Sequence, residues 1–288
     1  MKSKRLYVLL TILGVLVAIT WIHRRQERPK GSVKLLSDFG EVSKVVLQRQ
    51  DSTVVLELID GEWKITSPIQ SGTDQKAVDA FIDAVAELRL GEAVTGRPEM
   101  HEAFEVDENR GTRILLYSGS DSISFVVGKA AGPDEGYLRL SGQNAVHLAE
   151  NFSRHLLSRG LDHWRAKSIL TMAKEDVQAV AFGYAAERFS LSREDGRWRV
   201  DGADTDSAKV DRFLVTLEDL RADGFLREEK IEEEVSISID LVGGRRETIV
   251  IGKASDDRFP IVREGDGTVF FVNKWKADRL KKKPADFQ

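Results

Sequence analysis

The sequence predicts an α+β protein with two tandem repeats of a mostly antiparallel sheet with packed helices, preceded by one transmembrane helix. Three observations support this prediction. The amino terminus carries a long apolar run, a phrase built on Asp-Gly and tryptophan occurs twice, and each copy leads into a helical pattern followed by strand patterns. The corresponding domains are residues 1–30 (anchor and linker), 31–165 (first repeat unit) and 166–288 (second repeat unit).

The apolar run extends from Leu6 to Ile22 without a charged residue, and cations flank it on both sides. At roughly 1.5 Å per helical residue it would cross most of a hydrocarbon layer about 30 Å thick. Bulky residues stand where a signal peptidase requires small ones, which favours an uncleaved anchor over the rival interpretation, a cleaved signal peptide. We therefore expect a single-pass protein of the inner (cytoplasmic) membrane. The flanking cations do not decide its orientation, but the short tail and large body favour an extracytoplasmic (periplasmic) body.

The duplicated phrase reads DGEWKIT at 60–66 and DGRWRVD at 195–201. Asp-Gly favours a tight hairpin turn, and the tryptophan two residues later then enters a strand facing the core. A catalytic tryptophan rarely needs a copy, whereas a duplicated folding unit does. We therefore interpret Trp63 and Trp198 as equivalent core residues.

A helical pattern follows each phrase. Apolar residues recur at positions i, i+3, i+4, i+7 and i+10 from Val78 and again from Val210, which is the spacing of one face of an amphipathic helix. A Thr-Asp pair precedes each pattern and predicts the N-cap. The predicted structural core contains three matched aromatic residues from each unit: Trp63, Phe81 and Phe152 from the first, and Trp198, Phe213 and Trp275 from the second.

The bulk composition excludes several classes of function. Lys and Arg total 43 against 47 Asp and Glu, and the formal net charge of −4 argues against a dedicated nucleic-acid binder. The chain has no cysteine, which excludes disulfides, thiolate nucleophiles and Cys-based zinc sites. We therefore expect no nucleic acid among the partners.

Few residue patterns suggest chemistry. Gly-Lys occurs at 128–129 and 252–253, but it lacks the upstream glycine and the following Ser or Thr of a phosphate-binding loop. His101 lies among glutamates in the longer connection of the first unit and is the best candidate for metal binding or acid–base catalysis, yet no second histidine is near it. We predict no catalytic residue, no metal ligand and no cofactor, and hence a protein that is not an enzyme.

The stretch DGEWKITSPIQSGTDQKAVDAFIDAVAEL resembles the signature of an uncharacterised bacterial family built on a domain of unknown function. That signature has a strand with a tryptophan (Trp63), a proline five residues later (Pro68), a polar gap and a helix. The second unit keeps Trp198 but has no such proline. The junction LDHWRAKSILTMAKEDVQAVAFGY also resembles the linker of this family. The resemblance implies membrane anchoring by one N-terminal helix and genes beside ABC-type permeases of gliding-motility and auxiliary transport systems, and it brings no catalytic residues.

Together these features predict a membrane-anchored, non-enzymatic envelope protein that acts as an interaction or scaffold module. The resemblance implies a role accessory to an ABC-type transport or gliding-type complex, with a permease or another envelope protein as partner. A second hypothesis is an extracytoplasmic module that binds polysaccharide or another ligand in a cleft, with Trp164 and Tyr184 as interaction candidates. A third is a hydrolase that uses His101.

The carboxyl-terminal segment NKWKADRLKKKPADFQ is basic. It is a candidate contact for anionic lipid or for an acidic patch on a partner. The simpler interpretation is the exposed side of a closing helix, with Trp275 and Leu280 pointing inward.

Overall fold

The computed structural model describes residues 31–227 and 231–288, and the protein is mostly β. The described strands form three antiparallel sheets of ten, two and nine strands. The predicted α+β class is therefore wrong. The longest described helices have 12 residues each, so each helical pattern yields one short helix on a sheet, and most of the remaining chain pairs as strands.

The predicted membrane anchor, Leu6–Ile22, lies outside the described residues. Within residues 31–227 and 231–288, no helix is long and apolar enough to cross a membrane. The transmembrane part of the predicted fold therefore has no support among the described elements.

The chain divides into two compact units, one ending at Arg165 and the other comprising Ala166–Gln288. The strands of the first unit form the ten-stranded sheet: β1 (Val33–Lys34), β2 (Lys44–Arg49), β3 (Ser52–Ile59), β4 (Glu62–Ser67), β5 (Ser71–Gly72), β6 (Arg89–Thr95), β7 (Thr112–Ser118), β8 (Asp121–Ala130), β9 (Glu135–Leu140) and β10 (Val146–Glu150). Its described helices are α1 (Gln75–Ala86), α2 (Arg154–Leu157) and α3 (Leu161–Trp164), with a 3-10 turn at Pro98–Met100.

The second unit contains the nine-stranded and two-stranded sheets. Its strands are β11 (Ser168–Thr171), β12 (Val177–Tyr184), β13 (Arg188–Glu194), β14 (Arg197–Val200), β15 (Ala203–Asp204), β16 (Asp219–Arg221), β17 (Gly224–Phe225), β18 (Glu233–Leu241), β19 (Arg246–Gly252), β20 (Arg258–Arg263) and β21 (Phe270–Asn273). Its described helices are α4 (Ser207–Glu218) and α5 (Lys274–Leu280), with 3-10 turns at Lys174–Asp176, Val242–Gly244 and Pro284–Asp286.

The two large sheets share one strand order. The first runs β1-β6-β10-β9-β8-β7-β2-β3-β4-β5, and the second runs β17-β21-β20-β19-β18-β12-β13-β14-β15. They differ after the long helix, where β6 pairs with both β1 and β10. In the second unit the corresponding segment is divided, because β16 pairs with β11 in the small sheet and β17 pairs with β21.

The two Asp-Gly phrases form the same kind of turn. Asp60 and Gly61 have φ angles of 53° and 82°, and Asp195 and Gly196 have φ angles of 48° and 78°. Two successive residues in the left-handed region define a type I′ hairpin, whose twist matches that of the flanking strands. Asp tolerates this region better than most residues and Gly adopts it without steric cost.

In both units a hydrogen bond joins the strand that carries the tryptophan to the segment that precedes the long helix. The Thr73 hydroxyl donates to the Trp63 carbonyl at 2.6 Å, and the Thr205 hydroxyl donates to the Trp198 carbonyl at 2.8 Å. The next residue of each unit, an aspartate, caps the helix by accepting hydrogen bonds from backbone amides of its first turn. The Thr-Asp pair therefore both fastens the strand and starts the helix.

Each long helix covers one apolar face of its sheet. In the first unit the buried α1 residues pack with strand residues into one cluster that includes Val45, Leu56, Ile65, Val78, Phe81, Val85, Ile114 and Phe125. In the second unit the equivalent cluster includes Val180, Phe182, Phe189, Val210, Phe213, Leu217, Ile237 and Phe287. Burial of these apolar stripes removes the sheet face from water and is the main stabilising contribution in each unit.

Replacement of Trp63 by Ala tests this packing. Trp63 is 8% exposed, so we expect the free energy of unfolding, measured by urea denaturation, to fall by about 3–5 kcal/mol. The matched control is Trp275→Ala, because Trp275 is 62% exposed and its truncation should change stability by no more than about 0.5 kcal/mol. Equal losses from the two variants would contradict the burial described for these tryptophans.

Candidate functional site

A groove of about 510 Å³ on the second unit combines cations with an exposed tryptophan. We call it the basic aromatic groove and define it by Lys209, Arg212, Trp275, Arg279 and Lys282. It lies entirely within the second unit, between residues of α4 and the segment that begins with α5.

Helix α4 supplies one wall of this groove through Lys209, Arg212, Phe213 and Thr216. These residues follow the spacing i, i+3, i+4, i+7 and therefore share one side of the helix. Phe213 is buried in the core, whereas Arg212 is exposed to solvent. The wall therefore has an apolar base and a charged rim.

Helix α5 supplies the opposite wall. Its start is capped by Asn273, whose side chain accepts a hydrogen bond from the Lys276 amide at 3.0 Å. Ala277 and Leu280 are fully buried and hold one face of the helix against the unit. The face that carries Trp275 is thereby turned to solvent.

Trp275 and Arg279 form a stacked pair on the solvent-facing side of α5. The Arg279 guanidinium lies 4.7 Å from the centroid of the Trp275 ring, within the range of a cation–π interaction. The same guanidinium donates to the Thr216 hydroxyl of α4 at 2.9 Å. Arg279 therefore links the two walls and fixes the orientation of the exposed indole.

The carboxyl-terminal segment closes the base of the groove. Phe287 is 1% exposed, and its ring centroid lies 6.2 Å from Phe182, 6.4 Å from Phe189 and 5.5 Å from Phe213. The Asp206 amide donates to the Phe287 carbonyl at 2.7 Å. This segment is therefore docked on the core and forms a fixed part of the site.

The groove cations are not paired with side-chain carboxylates among the described residues. No such ion pair is formed by Lys209, Arg212, Arg279 or Lys282, although Asp286 also lines the groove. The Lys209 ammonium instead donates a hydrogen bond to the main-chain oxygen of Gln288. Three neighbouring lysines of the same segment are paired: Lys274 with Asp278, Lys276 with Asp223 and Lys281 with Glu234. Arg212, Arg279 and Lys282 therefore place positive charge on the groove, where it attracts anionic groups.

Tyr184 is hydrogen-bonded to the backbone of the groove residue Lys282. Its hydroxyl donates to the Lys282 carbonyl at 2.7 Å, which fixes the backbone that carries one of the groove cations. Burial, reinforced by the negative charges of Asp286, Glu234 and Glu187, raises the pKa of Tyr184 to about 12. The phenol therefore stays protonated and donates at any physiological pH.

The expected inward orientation of Trp275 is wrong, and the residue beneath it explains why. In the first unit Phe152 lies over Gly136, where an added Cβ would meet the Phe152 ring at 2.1 Å. Gly136 of β9 lies opposite Ala149 of β10. The equivalent pair in the second unit is Phe259 of β20 opposite Val272 of β21, so Phe259 takes the position of Gly136. Because the Phe259 side chain occupies that space, the aromatic residue of the second unit is displaced to the surface.

The other predicted core residues lie as follows. Phe81, Phe152 and Phe213 are buried in the cores of their units, together with Trp63. Trp198 is only half-buried and packs at the margin of its core.

Trp164, predicted as an interaction candidate, is completely buried. Its ring meets Phe81 edge to face at a centroid distance of 5.4 Å, so it cannot stack on a ligand from solvent. Tyr184 is also partly buried, and its hydroxyl is engaged by Lys282. The two rings on which the polysaccharide hypothesis depended are therefore both structural.

His101 has a structural contact as well. Its Nε2 is hydrogen-bonded to the Asn144 carbonyl at 2.9 Å. The adjacent glutamates are paired, Glu102 with Arg110 and Glu105 with Arg154. In the part of the chain that the structure describes, no group of His, Asp and Glu side chains could hold a metal ion.

The fold and the groove define a mostly antiparallel β-protein with a solvent-facing basic and aromatic surface. The chain belongs to the family described as Domain of unknown function (DUF4340), which matches residues 63–240. The matched region begins at Trp63 in β4 and extends into β18, so it includes parts of both units. No curated protein and no solved structure matches the chain.

Titration of Tyr184 tests the geometry behind the groove. We expect its phenol to ionise near pH 12 rather than at the ordinary value of 10.0, as a late phase in the ultraviolet absorbance that Tyr184→Phe removes. Because the folded-state pKa is raised, the neutral phenol contributes stability that is fully present below pH 10 and is lost as the pH rises through 12. A late phase that persists in the variant would contradict this assignment.

Proposed function

We propose that this protein is a non-enzymatic interaction module that binds a protein partner through the basic aromatic groove. The observation that carries the proposal is the exposed Trp275 ring, stacked on Arg279 beside Arg212 and Lys282, none of which is paired with a side-chain carboxylate among the described residues. Tryptophan and arginine are the residue types most enriched among the side chains that dominate binding energy at protein interfaces. A fixed pair of this kind is already oriented for contact and loses little conformational entropy on binding.

Comparison between the units supports the same proposal. The fold does not require an exposed aromatic side chain at this position, because the corresponding Phe152 of the first unit is buried. In the second unit the residue is larger, exposed and accompanied by Arg279. An exposed tryptophan held by an arginine therefore combines two of the residue types that dominate binding energy at protein interfaces.

The more specific part of the proposal concerns location and partner. We propose that the module acts at the cell envelope, accessory to an ABC-type transport or gliding-type complex, and that a permease subunit or another envelope protein is the partner. The support is the resemblance of the segment from Trp63 through Pro68 into α1, and of the junction at 161–184, to a family whose genes often stand beside such permeases.

Cross-linking in the native cells tests the proposal. A tagged full chain, solubilised in mild detergent after cross-linking, should copurify with permease or other envelope proteins identified by mass spectrometry. Trp275→Ala and Arg212→Glu should reduce that recovery by about tenfold or more, because each removes a central contact of the groove.

The matched control is Arg193→Glu, which makes the same charge change at an exposed site of the same unit on β13, away from the groove. It should leave recovery unchanged. Recovery of no envelope partner with the wild-type chain, or equal recovery with the groove variants, would contradict the proposal.

A further inference from the structure

We propose that the basic aromatic groove binds an extended segment of the partner that carries both carboxylate and apolar side chains. This inference rests on the proposed function and names the chemistry of the segment that occupies the site. Three features of the groove support it: the placement of its cations, its concave shape and the exposed Trp275 ring.

The cations stand on both walls of the groove. Lys209 and Arg212 belong to α4, whereas Arg279 and Lys282 belong to the segment that faces it. A chain lying between the walls can direct carboxylates to either side, and a guanidinium can bind a carboxylate through two parallel hydrogen bonds. The positive charge is a local feature, since the whole chain carries a formal net charge of −4.

The shape of the site favours a chain segment over a lipid surface. Phe213 and Phe287, both buried, lie at the base of the groove, below the rim formed by the cations. A flat anionic bilayer would meet the rim but would not fill the space between the walls. An extended segment can lie in that space, and an apolar side chain that it carries can cover the exposed Trp275 ring.

Asp286 restricts the kind of segment that the groove can bind. Its carboxylate lines the same groove and repels a ligand that is negatively charged at every position. A segment in which acidic and apolar residues alternate avoids this repulsion and still meets the cations on both walls. The groove therefore selects a mixed acidic and apolar segment rather than a uniform polyanion.

Titration of the purified full chain with short peptides tests the inference. The probe is a peptide of alternating Glu and Leu, and its matched control replaces each Glu by Gln. We expect the Glu peptide to bind at least about tenfold more tightly than the Gln peptide, with an affinity that falls as salt is raised. Arg212→Glu and Trp275→Ala should each weaken binding by about tenfold, whereas Arg193→Glu should not change it; circular dichroism verifies that every variant is folded.

Several results would overturn the inference. Equal binding of the two peptides would exclude recognition of carboxylates. Tighter binding of phosphatidylglycerol vesicles than of the Glu peptide, with the same dependence on Arg212 and Trp275, would assign the groove to a lipid surface. Self-association that is lost when Glu232, Glu233 and Glu234 are changed to Gln would assign it to a second copy of this chain.

The peptide and cross-linking experiments separate the two proposals. If the groove variants lose their envelope partner in cells but the Glu peptide does not bind, the inference fails and the proposed function stands. If the Glu peptide binds but the groove variants keep every envelope partner, the proposed function fails and the inference fails with it.

Discussion

Each unit depends on the coverage of one apolar sheet face by a 12-residue helix and the shorter segments beside it. A helix of 12 residues covers only part of a nine- or ten-stranded sheet, so other side chains must exclude water from the remainder, at about 25 cal/mol for each Å² of apolar surface. In the second unit Phe287 performs this task beside Phe213. Phe287 belongs to the segment after α5 and packs on α4 through Phe213, while Arg279 of α5 is hydrogen-bonded to Thr216 of α4. The basic aromatic groove lies between the two segments that these contacts hold together.

The two units cover their apolar sheet faces with different side chains at one position. In the first unit Gly136 leaves room for Phe152 to pack on the sheet. In the second unit Phe259 fills that room itself, and the Lys281 ammonium lies 4.3 Å from its ring centroid. The helix residue that corresponds to Phe152 is Trp275, and its ring lies at the surface.

Local features of the fold could be predicted from the sequence, whereas features that depend on distant residues could not. The Asp-Gly phrases and the apolar spacing from Val78 and Val210 act through neighbours within a few residues, and both are visible without a structure. The α+β class is wrong because each helical pattern yields one 12-residue helix, whereas most of the remaining described chain pairs as strands across distances in sequence that no local pattern reveals. The predicted inward orientation of Trp275 is wrong because it depends on Phe259, which lies on a strand, β20, and not on the helix that carries Trp275. The groove joins cations of α4 to cations more than sixty residues later in the sequence, and the sequence indicated only the basic character of its carboxyl-terminal half.

Amide hydrogen exchange, measured by mass spectrometry on the full chain with and without the alternating Glu and Leu peptide, tests the central claim most directly. We expect slower exchange in residues 207–218 and 274–287 and unchanged exchange in the remaining described residues of the second unit. Slower exchange confined to other segments, or no change at saturating peptide, would contradict the assignment of the groove as the contact surface.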